Sequence, residues 1–176
     1  MKGLLIALAI ILLPVVSFAD TTVFDYSSKI YVVSECISTI STSVTGTTAE
    51  TTLFSCTMPG GIMGTNGTLF TLITASYTNS GNNKTYRIKF NTTTLSAPAV
   101  TTTAAFHEVF FVKNMNSYSV QEAGSNAANQ FGTTSTVPIS GAVDTSQAFT
   151  FSITCQLADA GDLCKLSKVV PFIIRK

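Results

Sequence analysis

Phe149-Thr150-Phe151-Ser152-Ile153-Thr154-Cys155-Gln156-Leu157 is the stretch that decides the fold class. Apolar side chains fill every odd position, and hydroxyls or an amide fill every even one. Successive side chains of a strand point to opposite faces, so this pattern gives one dry face and one wet face. Wound as a helix, the same residues would leave apolar groups all around the axis. Thr85-Tyr86-Arg87-Ile88-Lys89-Phe90 repeats the alternation. Strand-like runs also cover residues 29–37, 51–58, 69–78, 104–113 and 164–174, with shorter candidates at 22–26, 117–121 and 134–139.

Working outward, turn chemistry separates these runs. Asn79-Ser80-Gly81-Asn82-Asn83 lies between two strong strands and reads as a hairpin loop. Asp159-Ala160-Gly161-Asp162 reads the same way and sets Cys155 and Cys164 facing each other across its two strands. Pro171 marks an edge or a bulge in the last strand. Residues 123–136 are small and polar and read as a long surface loop. Eight to ten short strands joined by polar turns predict an all-β, two-sheet antiparallel β-sandwich. A jelly roll is the first choice and an immunoglobulin-like sandwich the second, because the latter's buried Trp has no counterpart in a chain without Trp.

The amino terminus reads as an export signal. Met1-Lys2 is a positive start, residues 3–13 are an apolar run, and Ser17 and Ala19 are the small residues a signal peptidase needs. Residues 1–19 are therefore expected to be removed, leaving 20–176 as one domain. The run is shorter than the ~20 apolar residues of a spanning helix, and no later segment reaches that length. Lys2 leaves with the signal, so ten basic residues become nine, against nine acidic ones. A neutral chain lacks the excess of Lys and Arg that nucleic acid or an anionic bilayer requires. Ser and Thr make up 46 of the 157 remaining residues, so hydroxyls keep the surface wet. The expected location is secreted, periplasmic or cell-surface. Cys36, Cys56, Cys155 and Cys164 are an even set in an oxidising compartment and are expected to form disulfides. Three pairings are possible; Cys36 with Cys56 and Cys155 with Cys164 is favoured because each pair is local.

Three further features occur in order. Met58-Pro59-Gly60-Gly61-Ile62-Met63-Gly64-Thr65-Asn66-Gly67 is a glycine-rich loop ahead of a strand. Ser76-Tyr77-Thr78-Asn79-Ser80-Gly81-Asn82-Asn83-Lys84-Thr85 leads into Arg87-Ile88-Lys89-Phe90. Val143-Asp144-Thr145 precedes alternating apolar residues and Gln156-Leu157-Ala158-Asp159-Ala160-Gly161-Asp162. From Ala49 onward this arrangement resembles a mostly uncharacterised group of small bacteriophage virion or tail-associated β-sandwich structural proteins. The resemblance implies a sandwich fold, a homotrimer or larger array, and no catalytic residues. The chain departs from the group in its signal peptide and its cysteines. Cys155 and Cys164 replace other residues at positions that face each other in the group, which implies that they pair.

No motif assembles a reaction centre. His107 is the lone histidine, and His107-Glu108 lacks the second histidine of a zinc-protease helix. Val143-Asp144-Thr145-Ser146 lacks the glycine of an aspartic-protease loop and its second carboxylate. Gly60, Gly61, Gly64 and Gly67 lack the Lys-Ser/Thr pair of a phosphate loop and serve backbone angles instead. Asp159 and Asp162 are too few for calcium and read as solvated turn residues. Asn66, Asn83 and Asn91 open glycosylation sequons that arise by chance in a Thr-rich chain. Tyr77, near the first loop, and Tyr118, beside the glycine-rich loop, are the candidates for stacking on a sugar ring. The expectation is an exported, non-catalytic structural or adhesive surface module with no cofactor or metal, whose partner is itself or a surface glycan or protein. The alternative is a lectin-like carbohydrate-binding protein.

Overall fold

The structure is a computed structural model in which residues 29–124 and 137–175 are described. The signal segment, the strand expected at 22–26 and most of the loop expected at 123–136 lie outside them, as do residues 134–136 of the short candidate at 134–139. The described residues form β1 (Lys29–Val32), a 3-10 turn (Ser34–Cys36), β2 (Thr42–Val44), β3 (Thr51–Met58), β4 (Thr68–Tyr77) and β5 (Lys84–Phe90). They continue with β6 (Thr93–Ser96), β7 (Ala99–Val100), β8 (Ala105–Asn114), β9 (Gln121–Ala123), β10 (Ile139–Gly141), β11 (Phe149–Leu157) and β12 (Cys164–Arg175).

Two antiparallel sheets result. The larger runs β1-β12-β4-β8-β9-β10, with β2 also on β12, and the smaller runs β3-β11-β5-β6, with β7 on β5. Eight main strands can be counted in chain order as β1, β3, β4, β5, β6, β8, β11 and β12. The larger sheet then reads first, eighth, third, sixth, and the smaller reads second, seventh, fourth, fifth. That interleaving is the double Greek key of a jelly roll. The immunoglobulin-like alternative is set aside.

The core lies between the sheets. Tyr86, Ile88 and Phe90 of β5 and Phe149, Phe151 and Ile153 of β11 point inward, against Leu69 and Ile73 of β4, Phe110 and Val112 of β8 and Ile173 of β12. Phe90 packs on Phe149 at 4.6 Å between ring centroids and edge-on to Phe151 at 6.3 Å. Each such fully buried side chain contributes about 1.5–3 kcal/mol.

Three expectations are corrected. Residues 78–83 do not turn a hairpin: β4 belongs to the larger sheet and β5 to the smaller. Residues 158–163 likewise carry the chain from β11 in one sheet to β12 in the other. Both are arches, and turn residues allow reversal within a sheet or across the gap equally well. Cys155 and Cys164 stand at disulfide distance, with Cα atoms 6.7 Å apart, so this pair joins the two sheets rather than neighbouring strands of one. Cys36 and Cys56 are also at disulfide distance, Cα to Cα 5.5 Å, tying the 3-10 turn to β3. Both pairs fit an oxidising compartment.

Pro171 is the third correction. It pairs with Thr71 inside the long β12–β4 ladder, and the nearest bulge lies upstream, between Leu166 and Lys168. Val169 exchanges both backbone hydrogen bonds with Ser38. Residue 171, two positions on, points its backbone to that same flank, where β1 has already ended at the Val32–Phe172 pair. Its missing N–H therefore costs no ladder bond. The strand expected at 29–37 is also shorter than expected: β1 leaves the sheet at Val32 and the chain turns through Ser34–Cys36.

Candidate functional site

The outer faces of the two sheets differ sharply. On the smaller sheet, Thr85, Arg87 and Lys89 of β5 lie beside Gln156, Thr154 and Ser152 of β11. Glu50 gathers them. Its Oε1 accepts from Lys89 Nζ at 3.0 Å and Thr154 Oγ1 at 2.6 Å, and its Oε2 lies 3.6 Å from Arg87 Nη1. Arg87 Nη2 donates to Gln156 Oε1 at 2.8 Å. Thr154 foremost, then Lys89 and Arg87, hold the Glu50 carboxyl below its ordinary value. This face is polar and charged.

The larger sheet's outer face is apolar across its middle and polar at two of its margins. Register places Val32, Phe172, Phe70 and Phe111 in one row across β1, β12, β4 and β8. Phe70 stacks on Phe172 at 5.3 Å with planes 11° apart, and Phe111 lies 6.4 Å from Phe70. The row on one side is Ile30, Ile174, Thr68 and Lys113, and on the other Val170, Leu72 and Val109. Lys168, Thr74 and His107 form the last row. Ile30 is 68 % exposed, Val32 59 % and Leu72 43 %. Four strands at ~4.8 Å spacing and four rows at ~6.7 Å give a face of roughly 400–500 Å². Its apolar part is of the size of the largest apolar patch on an ordinary monomer, which is often a functional surface.

Ile30 and Val32, on the edge strand β1, are the most exposed apolar side chains of the face. Across β4 and β8, a groove of about 300 Å³ is lined by Leu72, Thr74, His107, Val109 and Lys168, with Glu108 also reaching it. Thr74 Oγ1 lies 3.2 Å from His107 Nδ1. His107 thus sits on the outer face with a hydroxyl neighbour, and no group of three or more His, Cys, Asp or Glu among the described residues stands together as a metal site.

The two arches meet at one end of the sandwich. Thr78 N donates to Leu163 O at 3.0 Å, and Leu163 N donates to Thr78 Oγ1 at 2.8 Å. Beneath them Lys84, fully buried, donates from Nζ to Ser80 Oγ at 2.9 Å, and Ser80 Oγ donates to Asp162 Oδ2 at 2.8 Å. Lys84 Nζ and Asp162 Oδ2 are 3.9 Å apart. Asp162 is therefore a buried ion-pair partner, correcting its reading as a solvated turn residue. Asp159 Oδ1 accepts from Gly161 N at 2.7 Å and shapes the turn.

The sugar-stacking candidates part company. Tyr77 is buried against Tyr86, edge-on at 5.2 Å, which removes it from any surface site. Tyr118 is 36 % exposed, in the segment after β8 that meets the glycine-rich loop through Ser117 N to Thr65 O at 3.0 Å. At that end Asn114 Nδ2 donates to Gly64 O at 2.6 Å and Thr145 Oγ1 at 2.8 Å, and Gln121 Nε2 donates to Asn114 Oδ1 at 3.0 Å. Asp144 Oδ1 accepts from Ser146 Oγ at 2.6 Å and from its backbone N–H at 3.0 Å, which closes a local turn.

The apolar outer face escaped sequence reasoning, yet a signal existed. Leu69-Phe70-Thr71-Leu72-Ile73, Val109-Phe110-Phe111-Val112 and Val169-Val170-Pro171-Phe172-Ile173-Ile174 place apolar residues on both parities. Strands that read this way carry apolar side chains on the outer face as well as the inner one.

No family model matches the chain, and no curated protein matches it. Among solved structures the chain is similar to a structure of infectious bursal disease virus, Gx strain, at 11% identity and a TM-score of 0.40, covering 84% of this chain and 32% of that one. It is also similar to a structure of the Gt strain of that virus, at 10% identity and a TM-score of 0.27, covering 85% of this chain and 42% of that one. The chain spans less than half the length of either.

Proposed function

We propose that this protein is an exported, non-catalytic structural or adhesive surface module that works by presenting the outer face of its larger sheet and associates with itself. Residues 1–19 serve as the signal peptide and residues 20–176 as the single working domain. The observation that carries the reading is the apolar run through half-buried Phe172, Phe70 and Phe111, flanked by exposed Ile30, Val32 and Leu72, on a sheet whose opposite number is polar. Burying such a face is worth far more than leaving it wet. The resemblance to phage virion proteins agrees with a role in a repeating assembly. No cofactor enters this account.

The test is retention. Leu72→Asp, on the apolar face, is expected to release the protein from the surface or assembled fraction of an exporting host into the medium. Thr85→Asp, on the polar face, is expected to leave retention unchanged. Equal behaviour of the two variants would remove the reading. Exposed Tyr118 is what favours the lectin-like alternative. That alternative predicts glycan-array signals that Tyr118→Ala abolishes.

A further inference from the structure

Resting on the reading of this face as the working surface, we infer that its occupant is a second copy of the same face, joined through a ridge-and-groove contact. The ridge is Ile30 and Val32 on β1; the groove is the hollow lined by Leu72, Thr74, His107, Val109 and Lys168. They lie two to three strands and about two rows apart, roughly 16–20 Å. A two-fold axis in the plane of the face, midway between them, sets each ridge against the partner's groove and leaves the Phe70–Phe172 stack near the axis. In such an isologous pair every contact occurs twice.

Polarity selects this arrangement over the head-to-tail one. Laying the apolar face on the smaller sheet of a neighbour would strip water from Glu50, Arg87 and Lys89 and offer them only phenyl rings. Two such faces carry a smaller cost: the Phe172–Phe70–Phe111 row at their centre holds no charged residue, and the polar groups met are Lys113 at one corner and His107, Glu108 and Lys168 around the groove. Area sets the size class. Roughly 400–500 Å² per copy gives roughly 900 Å² in the pair, just below the ~1,000 Å² at which specific interfaces begin. The pair is therefore expected to be weak and reversible.

The test is sedimentation velocity on the exported chain, with Ile30→Lys, Leu72→Asp and the double variant I30K/L72D. Both sites are solvent-exposed, and circular dichroism with thermal melting verifies folding. Wild type is expected to shift from monomer to dimer over the range about 1–200 μM. Each single variant is expected to weaken pairing at least about tenfold. The double variant is expected to recover most of that loss, because the ammonium introduced on the ridge of each copy then meets the carboxylate introduced in the groove of the other. A double variant no better than the singles would overturn the ridge-and-groove register. A wild type that stays monomeric throughout would overturn self-pairing. A monomer that dimerises only once residues 20–28 are deleted would assign the face to the chain's own leading segment and equally overturn it. A monomeric wild type whose Leu72→Asp variant still loses surface retention would end self-pairing while the surface-module reading stands.

Discussion

Asp162→Ala should be among the most damaging single changes at a residue outside the apolar core. Lys84 is fully buried at the start of β5, and its ammonium is held by Ser80 Oγ at 2.9 Å, Ser80 O at 3.4 Å and the Asp162 carboxylate at 3.9 Å. Ser80 in turn donates to Asp162 at 2.8 Å. Removing the carboxylate leaves a desolvated cation with hydroxyl and carbonyl contacts only. Breaking one side of a buried ion pair costs about 3–5 kcal/mol. Solvent does not screen this site, because both partners are buried. For a domain of this size each kcal/mol lowers Tm by about 2–4 °C, so the expected fall is about 6–20 °C. The paired change Lys84→Met with Asp162→Leu removes both charges together and should cost no more than about 1 kcal/mol. Urea unfolding followed by tyrosine fluorescence, in a chain with five Tyr and no Trp, reads both values while the cysteine pairs stay oxidised. A loss below about 1 kcal/mol for Asp162→Ala, or a double variant as unstable as the single, would refute the buried pair as the link between the arches.

Replacing both Cys155 and Cys164 with Ser should cost about 2.5–3 kcal/mol from loop-closure entropy alone, read by urea midpoint, and intact-mass analysis with and without reductant tests both pairings. Burial pushes the Tyr77 and Tyr86 hydroxyls above their ordinary value of 10.0, Tyr77 further because Tyr86 lies beside it. A raised folded value means the contribution is complete below pH ~10 and is lost as pH climbs past it, so stability should fall in alkali, and less steeply in Tyr77→Phe. Glu50 has the opposite sign: its lowered value stabilises above the unfolded value and that contribution disappears as pH falls through the folded one, so Glu50→Gln should blunt acid unfolding. A Cβ at Gly67 would run into the Met63 carbonyl oxygen, so Gly67→Ala should cost about 1–3 kcal/mol, whereas Gly81→Ala, with open space around it, should stay within about 0.5 kcal/mol by thermal melting.

The sheets were legible where a strand has one wet face. β11 and β5 alternate cleanly, and their period marks Tyr86, Ile88, Phe90, Phe149, Phe151 and Ile153 as core side chains. Register and sheet membership were not legible. Asn79-Ser80-Gly81-Asn82-Asn83 contains what any reversal needs, and only the packing of Tyr77 against Tyr86 across the gap reveals an arch. Lys84 carried a usable hint, since it occupies the inward parity of Lys84, Tyr86, Ile88 and Phe90. Its partner, Asp162, is distant in sequence and only the fold brings it there. The apolar outer face was written in β4, β8 and β12 as apolar residues on both parities, but such runs look like deeper core until the topology shows nothing described lying over them. Tyr77 misled because closeness to a polar loop says nothing about which way a strand-end side chain points.

Covalent carbene footprinting of the protein, in the assembled fraction of its exporting host and again in dilute purified form, addresses the claim on which the rest depends. Peptides carrying Phe70, Leu72, Phe111 and Phe172 should be labelled in dilute solution and protected in the assembled fraction, while those carrying Arg87 and Lys89 should change little. Equal labelling of the Phe-bearing peptides in both states, or protection confined to the Arg87 side, would contradict the account.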